Sequence, residues 1–188
     1  MRANPTVKTR LTLAEFHDLL KQRGHDRFIE LIDGELVEKM PNDEHGYLVG
    51  ELTRLLGNFL RENRLGRVSV EVRISQPNML MGNSRLPDLA VLLGKRPVQS
   101  SALEEAPDIV FEVQSPGDSR AGLITKAEFY LAIGVKEVWL VYPAMQRVEI
   151  ITADTVKLFD ADDIIAGDSL LPGFTLNVGE LFNYEDFE

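Results

Sequence analysis

Apolar residues along this chain recur at two periods, and the switches between them lay out its elements. Thr12-Leu13-Ala14-Glu15 forms a capping box that predicts a short helix to about Arg23, with Gly24 as its stop. Two short strand patterns at 28–32 and 35–39 flank Asp33-Gly34, a strong signal for a two-residue hairpin. Pro41-Asn42-Asp43 then breaks the chain. Leu48, Leu52, Leu55, Leu56, Phe59 and Leu60 recur at helical spacing and predict a second helix over 44–63. Val68, Val70, Val72 and Ile74 alternate with Ser69, Glu71 and Arg73, the pattern of a half-buried strand.

Segment 76–85 suits a loop or hairpin tip, and two apolar runs follow at 89–93 and 109–113, joined by the polar connection 95–107. A turn at Ser115-Pro116-Gly117-Asp118 leads into a helix over 121–133, stopped by Gly134, and then a buried strand over 137–142. Such a strand–helix–strand unit favours a parallel pair with a right-handed crossover. The tail predicts strands at 147–152, 155–159 and 170–174, then a short helix near 178–182. This order indicates an α/β fold around a mixed sheet, with an N-terminal helix and hairpin.

Composition narrows the class. The 188 residues suffice for one domain with a real core, and 44% hydrophobic with 27% charged residues is ordinary for a globular protein. No apolar stretch approaches the roughly 20 residues of a membrane span and no secretory signal precedes the first helix, so a cytoplasmic location is the default. The absence of cysteine excludes a disulfide framework, a thiol nucleophile and a thiolate metal site. A net charge of −10 argues against generic nucleic-acid binding, because phosphate neutralisation dominates that affinity. The charge is uneven, however. Residues 45–100 carry 8 Lys and Arg against 4 Asp and Glu, whereas residues 101–188 carry 5 against 17. A local basic face could therefore meet an anionic ligand.

The candidate chemistry lies in acids set into strands. Asp88 follows Pro87 at the head of the 89–93 run, and Glu112 is flanked by apolar residues within Ile109-Val110-Phe111-Glu112-Val113-Gln114. Burying an acid costs several kcal/mol (roughly) unless it is paired or binds a metal. Asp88 shares a strand face with Ala90 and Leu92, and Glu112 shares one with Val110 and Gln114. If these strands pair antiparallel, the carboxylates converge and suit a hard cation such as Mg²⁺ or Mn²⁺. Alternatively, Asp88 is a turn residue and Glu112 faces solvent from an edge strand. Lys126 lies on the following helix, with Tyr130 one turn beyond it. The chain has no Gly-rich phosphate loop, no G-x-S-x-G elbow and no paired-histidine metal motif.

In this order, Pro87-Asp88, Glu112-Val113-Gln114 and Lys126 resemble the PD-(D/E)xK nuclease superfamily, the restriction-endonuclease-like fold. More narrowly, the chain resembles the Uma-two family of endonucleases. Matching text runs through Glu30-Leu31-Ile32-Asp33-Gly34-Glu35, His45, Ser115-Pro116, Tyr130, Gly134-Val135, Glu137-Val138-Trp139-Leu140-Val141 and Leu171-Pro172-Gly173. The resemblance implies a restriction-endonuclease-like mixed sheet flanked by helices, and a Mg²⁺- or Mn²⁺-dependent DNA endonuclease. It makes Asp88 and Glu112 metal ligands, Gln114 an orienting group in the place of the superfamily lysine, and Lys126 its charged replacement. Glu30, His45 and Tyr130 become supporting residues around them. By analogy a homodimer would present two sites to two strands.

The chain departs from the family at Gly122, where an acid is common, and at Tyr142-Pro143, where many members read Asp-Pro. A second expectation of a different class is a catalytically degenerate nuclease fold that serves binding or assembly. A third is hydrolysis of another phosphoester.

Overall fold

The computed structural model describes residues 10–23, 28–75, 83–167 and 169–184. The expected helix stop at Gly24 and the tip of the 76–85 connection lie outside them. Helix α1 (Leu13–Gln22) opens on the Thr12–Glu15 capping box, in which each residue's side chain reaches the other's main chain. The hairpin of β1 (Ile29–Ile32) and β2 (Glu35–Glu38) turns at Asp33 (φ 49°) and Gly34 (φ 81°). Both residues are left-handed, as a two-residue turn matched to strand twist requires. Helix α2 (Asp43–Glu62) is capped by the Asn42 side chain, which accepts from the His45 N–H at 2.9 Å.

The main sheet follows. Its strands are β3 (Gly66–Val70), β4 (Leu89–Leu93), β5 (Ile109–Val113), β6 (Glu137–Tyr142), β7 (Arg147–Ile151) and β8 (Val156–Phe159), hydrogen-bonded in that order. Every neighbouring pair is antiparallel except β5–β6, which is parallel and is joined by α3 (Arg120–Ala132), as the strand–helix–strand pattern predicts. A small hairpin, β9 (Ile164–Ala166) with β10 (Thr175–Asn177), and α4 (Val178–Leu181) complete the described chain.

Strand alternation divides the core between the two faces of this sheet. Leu48, Leu52, Leu56 and Leu60 of α2 pack on the Leu89, Val91, Ile109 and Phe111 face. Leu123, Ala127 and Tyr130 of α3 pack on the Ala90, Val110 and Leu140 face. Each leucine so buried contributes on the order of 2 kcal/mol before entropy is counted. The mixed α/β fold is the one the hydrophobic pattern indicates. Among the described residues no helix is long and apolar enough to cross a membrane.

Two local expectations are corrected. The strand expected over 68–74 ends at Val70, because Glu71 takes a left-handed conformation (φ 46°). That residue turns the chain over. Val68 packs with the α2 side, Val72 and Ile74 pack with the α3 side, and Val70 is 47% exposed. Segment 170–174 is a turn around Gly173 (φ 88°), and the strands lie on either side of it as β9 and β10.

Candidate active site

Antiparallel pairing of β4 with β5 sets Leu89 opposite Phe111, so Asp88 enters beside Glu112. The Val113 N–H donates to Asp88 Oδ2 at 2.7 Å, which ties the acid to the neighbouring strand. His45 Nε2, from the first turn of α2, lies 3.1 Å from the same oxygen. Asp88 Oδ1 is paired with the Lys39 ammonium, which follows β2 and also donates to the Leu86 carbonyl at 2.9 Å.

Glu112 is held from the other side. The Tyr130 hydroxyl donates to its Oε1 at 2.7 Å, and Lys126 Nζ donates to its Oε2 at 3.0 Å. These two α3 residues are one turn apart and so reach the same carboxylate. Lys126 Nζ also lies 3.6 Å from Glu30 Oε2 on β1. Glu30 Oε1 accepts from the Leu86 N–H at 2.8 Å, whereas Oε2 is buried with no hydrogen-bond partner. Glu30, Asp88 and Glu112 are each at most 1% exposed.

These acids outnumber the ammoniums that face them, and their proton affinities diverge accordingly. Burial pushes the Asp88 carboxyl up, but Lys39 and His45 outweigh it and hold the group well below the usual carboxylate range. Glu112 is raised: burial dominates, Asp88 and Glu30 add to it, and Lys126 and Lys39 only partly offset it. Burial works against the charge on Lys126, yet Glu112 and Glu30 raise its pKa and keep the ammonium protonated. Lys39 is likewise raised, by Glu112, Asp88 and Glu30 against its own burial. Burial and Glu112 push the Tyr130 phenol well above its ordinary value, so it is a hydrogen-bond donor here and not a phenolate. Among the described residues, no group of three or more His, Asp or Glu side chains is already gathered as a metal cage.

The family model of Uma2, described as "Putative restriction endonuclease", matches residues 13–179. The chain belongs to the Uma2 family. Its fold is similar to the crystal structure of a protein from Anabaena variabilis ATCC 29413, described as a putative nuclease belonging to DUF820. That match has a TM-score of 0.78 at 24% identity and covers 92% of this chain and 97% of the other. No curated protein matches.

In this Uma2 chain, six of the residues singled out from sequence stand together: Glu30, His45, Asp88, Glu112, Lys126 and Tyr130. Gln114 does not join them. It lies just past the end of β5, and its Nε2 donates to the Asp118 carbonyl at 3.1 Å, bracing the turn before α3. Sequence reasoning missed Lys39. The signal was present, because the Asp33-Gly34 hairpin pairs Glu30 with Val37, and Lys39, two residues on, falls on the same face.

Proposed function

We propose that this Uma2 chain is a divalent-metal-dependent DNA endonuclease that hydrolyses a phosphodiester bond at the Glu30–Asp88–Glu112 cluster. One observation carries the reading: buried carboxylates from separate elements converge with Lys39 and Lys126 where β4 begins and β5 ends. A fold gains little stability from such a cluster, since apolar residues of similar volume do as well or better. The donor set suits Mg²⁺ or Mn²⁺. All three acids offer hard oxygens, Asp88 and Glu112 are neighbours across a strand pair, and Glu30 Oε2 lacks a hydrogen bond.

Asp88 and Glu112 would hold the ion, which when bound supplies Lewis-acid polarisation of the phosphate and a water of lowered pKa. The protein's own groups do the rest. Lys126 carries a fixed positive charge to the site and stabilises the negative charge that builds on the phosphoryl oxygens. Tyr130 locks the Glu112 carboxylate by donating to it, and His45 and the Val113 N–H fix Asp88. Lys39 presents a second ammonium on the Asp88 side. A homodimer would offer one such site to each strand of a duplex, a state that light scattering reads directly.

Nicking of supercoiled plasmid in Mg²⁺ or Mn²⁺ tests the activity. The wild type should nick, Lys126→Ala should nick far more slowly, and Asp88→Ala should not nick. A wild type inert with both ions on supercoiled, linear and single-stranded DNA would contradict it. A second reading, a fold retained for binding or assembly, is favoured by the lysine already paired with each of Asp88 and Glu112.

A further inference from the structure

A second basic feature lies at the far end of α2. Its C-terminus and the turns before β3 and after β4 enclose a groove of about 430 Å³, lined by Arg61, Arg64, Arg67, Lys95 and Arg96 and by no acid. Five of the eight Lys and Arg residues of 45–100 thus meet in one place, in a chain of net charge −10. Among the described residues, Arg96 alone is neutralised there, by Asp108 at 2.9 Å. Arg67 donates to neutral acceptors, Ser69 Oγ and the Pro97 carbonyl. Arg61, Arg64 and Lys95 make no ion pair among the described residues.

The negative end of α2 is blunted as well. The Phe59 carbonyl accepts from Asn63 Nδ2 at 2.9 Å, the Leu60 carbonyl from the Leu65 N–H at 3.0 Å and the Arg61 carbonyl from the Arg64 N–H at 3.2 Å. Like charges crowded without counter-charge repel, and an anion with several charges relieves them together.

The groove and the acids lie at opposite ends of the same two elements. Asp88 and Gly94 bracket the strand Leu89–Leu93, a span of about 20 Å. Helix α2 gives a similar figure: His45 stands at the acid cluster and Arg61 at the groove, about 24 Å along the axis. Gly46, Gly50, Gly57 and Arg61 share one face of that helix by its period, whereas His45 points about 160° round from Arg61. A Cβ at Gly46 or Gly50 would meet nothing within 4 Å, and one at Gly57 would touch Val68 at 3.6 Å.

We infer that this groove binds the phosphodiester backbone of a nucleic acid, at a site about 20 Å from Asp88 and Glu112. The identity of the ligand rests on the nuclease reading, and binding measured without metal fails separately from cleavage. The test is fluorescence anisotropy with a duplex of roughly 20 base pairs in EDTA, comparing wild type with an Arg61→Glu, Arg64→Glu double variant. Both arginines are exposed, so the fold should persist, which a thermal melt checks. Lys157→Glu on exposed β8 is the control.

The double variant should bind at least about ten-fold more weakly, with the slope of log affinity against log salt reduced by about 2. The control should match wild type. An unchanged affinity and slope in the double variant would overturn the inference. So would a wild type that ignores duplex but binds polyglutamate, which would assign the groove to an acidic protein. Binding lost in the double variant, from a wild type that never cleaves, would support the groove and reject the nuclease reading alone.

Discussion

Strand β5 carries a buried acid at each end, and the two are treated in opposite ways. Asp108, just before the strand, accepts from the Leu93 N–H at 2.8 Å, Lys136 at 2.7 Å and Arg96 at 2.9 Å. Burial pushes its carboxyl up, but Lys136, the Leu93 N–H and Arg96 outweigh it, and the group sits below the ordinary carboxylate value. Glu112, near the other end, has a lysine and a tyrosine of its own and is nevertheless raised. The difference is local stoichiometry. One acid meets two cations at Asp108, whereas Glu30, Asp88 and Glu112 share two lysines at the other end. Asp108 staples β5 to β4 and to the start of β6. At the Glu112 end acids outnumber lysines, which raises Glu112 and suits an incoming cation.

Substitutions can break this contrast. Lys126→Met should slow cleavage by about 10²- to 10³-fold, read as initial rates of plasmid nicking. Asp108→Asn should leave nicking near wild type and lower stability by about 2 kcal/mol in urea unfolding, because a charged, hydrogen-bonded partner is lost. Glu112→Gln should do the reverse: nicking disappears, while stability at neutral pH changes by less than about 1 kcal/mol, because relief of the raised carboxylate offsets the partner lost by Lys126. Smallest is Lys136→Ala, whose side chain is 59% exposed; Arg96 and the Leu93 N–H remain on Asp108, so less than about 1 kcal/mol should be lost.

Proton linkage sharpens the same contrast, since the two shifts have opposite sign. Glu112 is raised, so the stability it contributes is present below its ordinary 4.5 and is lost as pH rises through the folded value. The stability of Glu112→Gln relative to wild type should therefore rise as pH climbs above about 4.5. Asp108 is lowered, so its contribution is present above its ordinary 3.8 and is lost as pH falls through the folded value. The penalty of Asp108→Asn should shrink in acid. Urea unfolding of both variants across pH 3–8 checks this, and curves sloping the same way would dissolve the comparison.

Much of this was legible in the sequence because periodicity reports burial. The capping box of α1, the Asp33-Gly34 turn and the 137–142 strand follow from local chemistry, and the structure repeats them. Asp88, Glu112, Lys126 and Tyr130 were reachable because strand alternation put the two acids on comparable faces and helical spacing joined Lys126 to Tyr130; Glu30 and His45 entered only through the family resemblance. What escaped depended on single backbone conformations and on tertiary partners. The left-handed Glu71 turns over an otherwise perfect alternation, and no propensity signals it at a glutamate. Gln114 matched a motif position, but the strand ends one residue before it and the amide is drawn to Asp118. Lys39 needed the hairpin docked on the segment before β4, through the Leu31–Ser84 bridge, before its ammonium could be placed beside Asp88.

The most direct test of the account is Mn²⁺ titration by calorimetry into wild-type protein and into Asp88→Ala, which requires no choice of substrate. The account predicts saturable binding to the wild type and none to the variant. A wild type that takes up no Mn²⁺, or a variant that binds it as tightly, would contradict a metal held between Asp88 and Glu112.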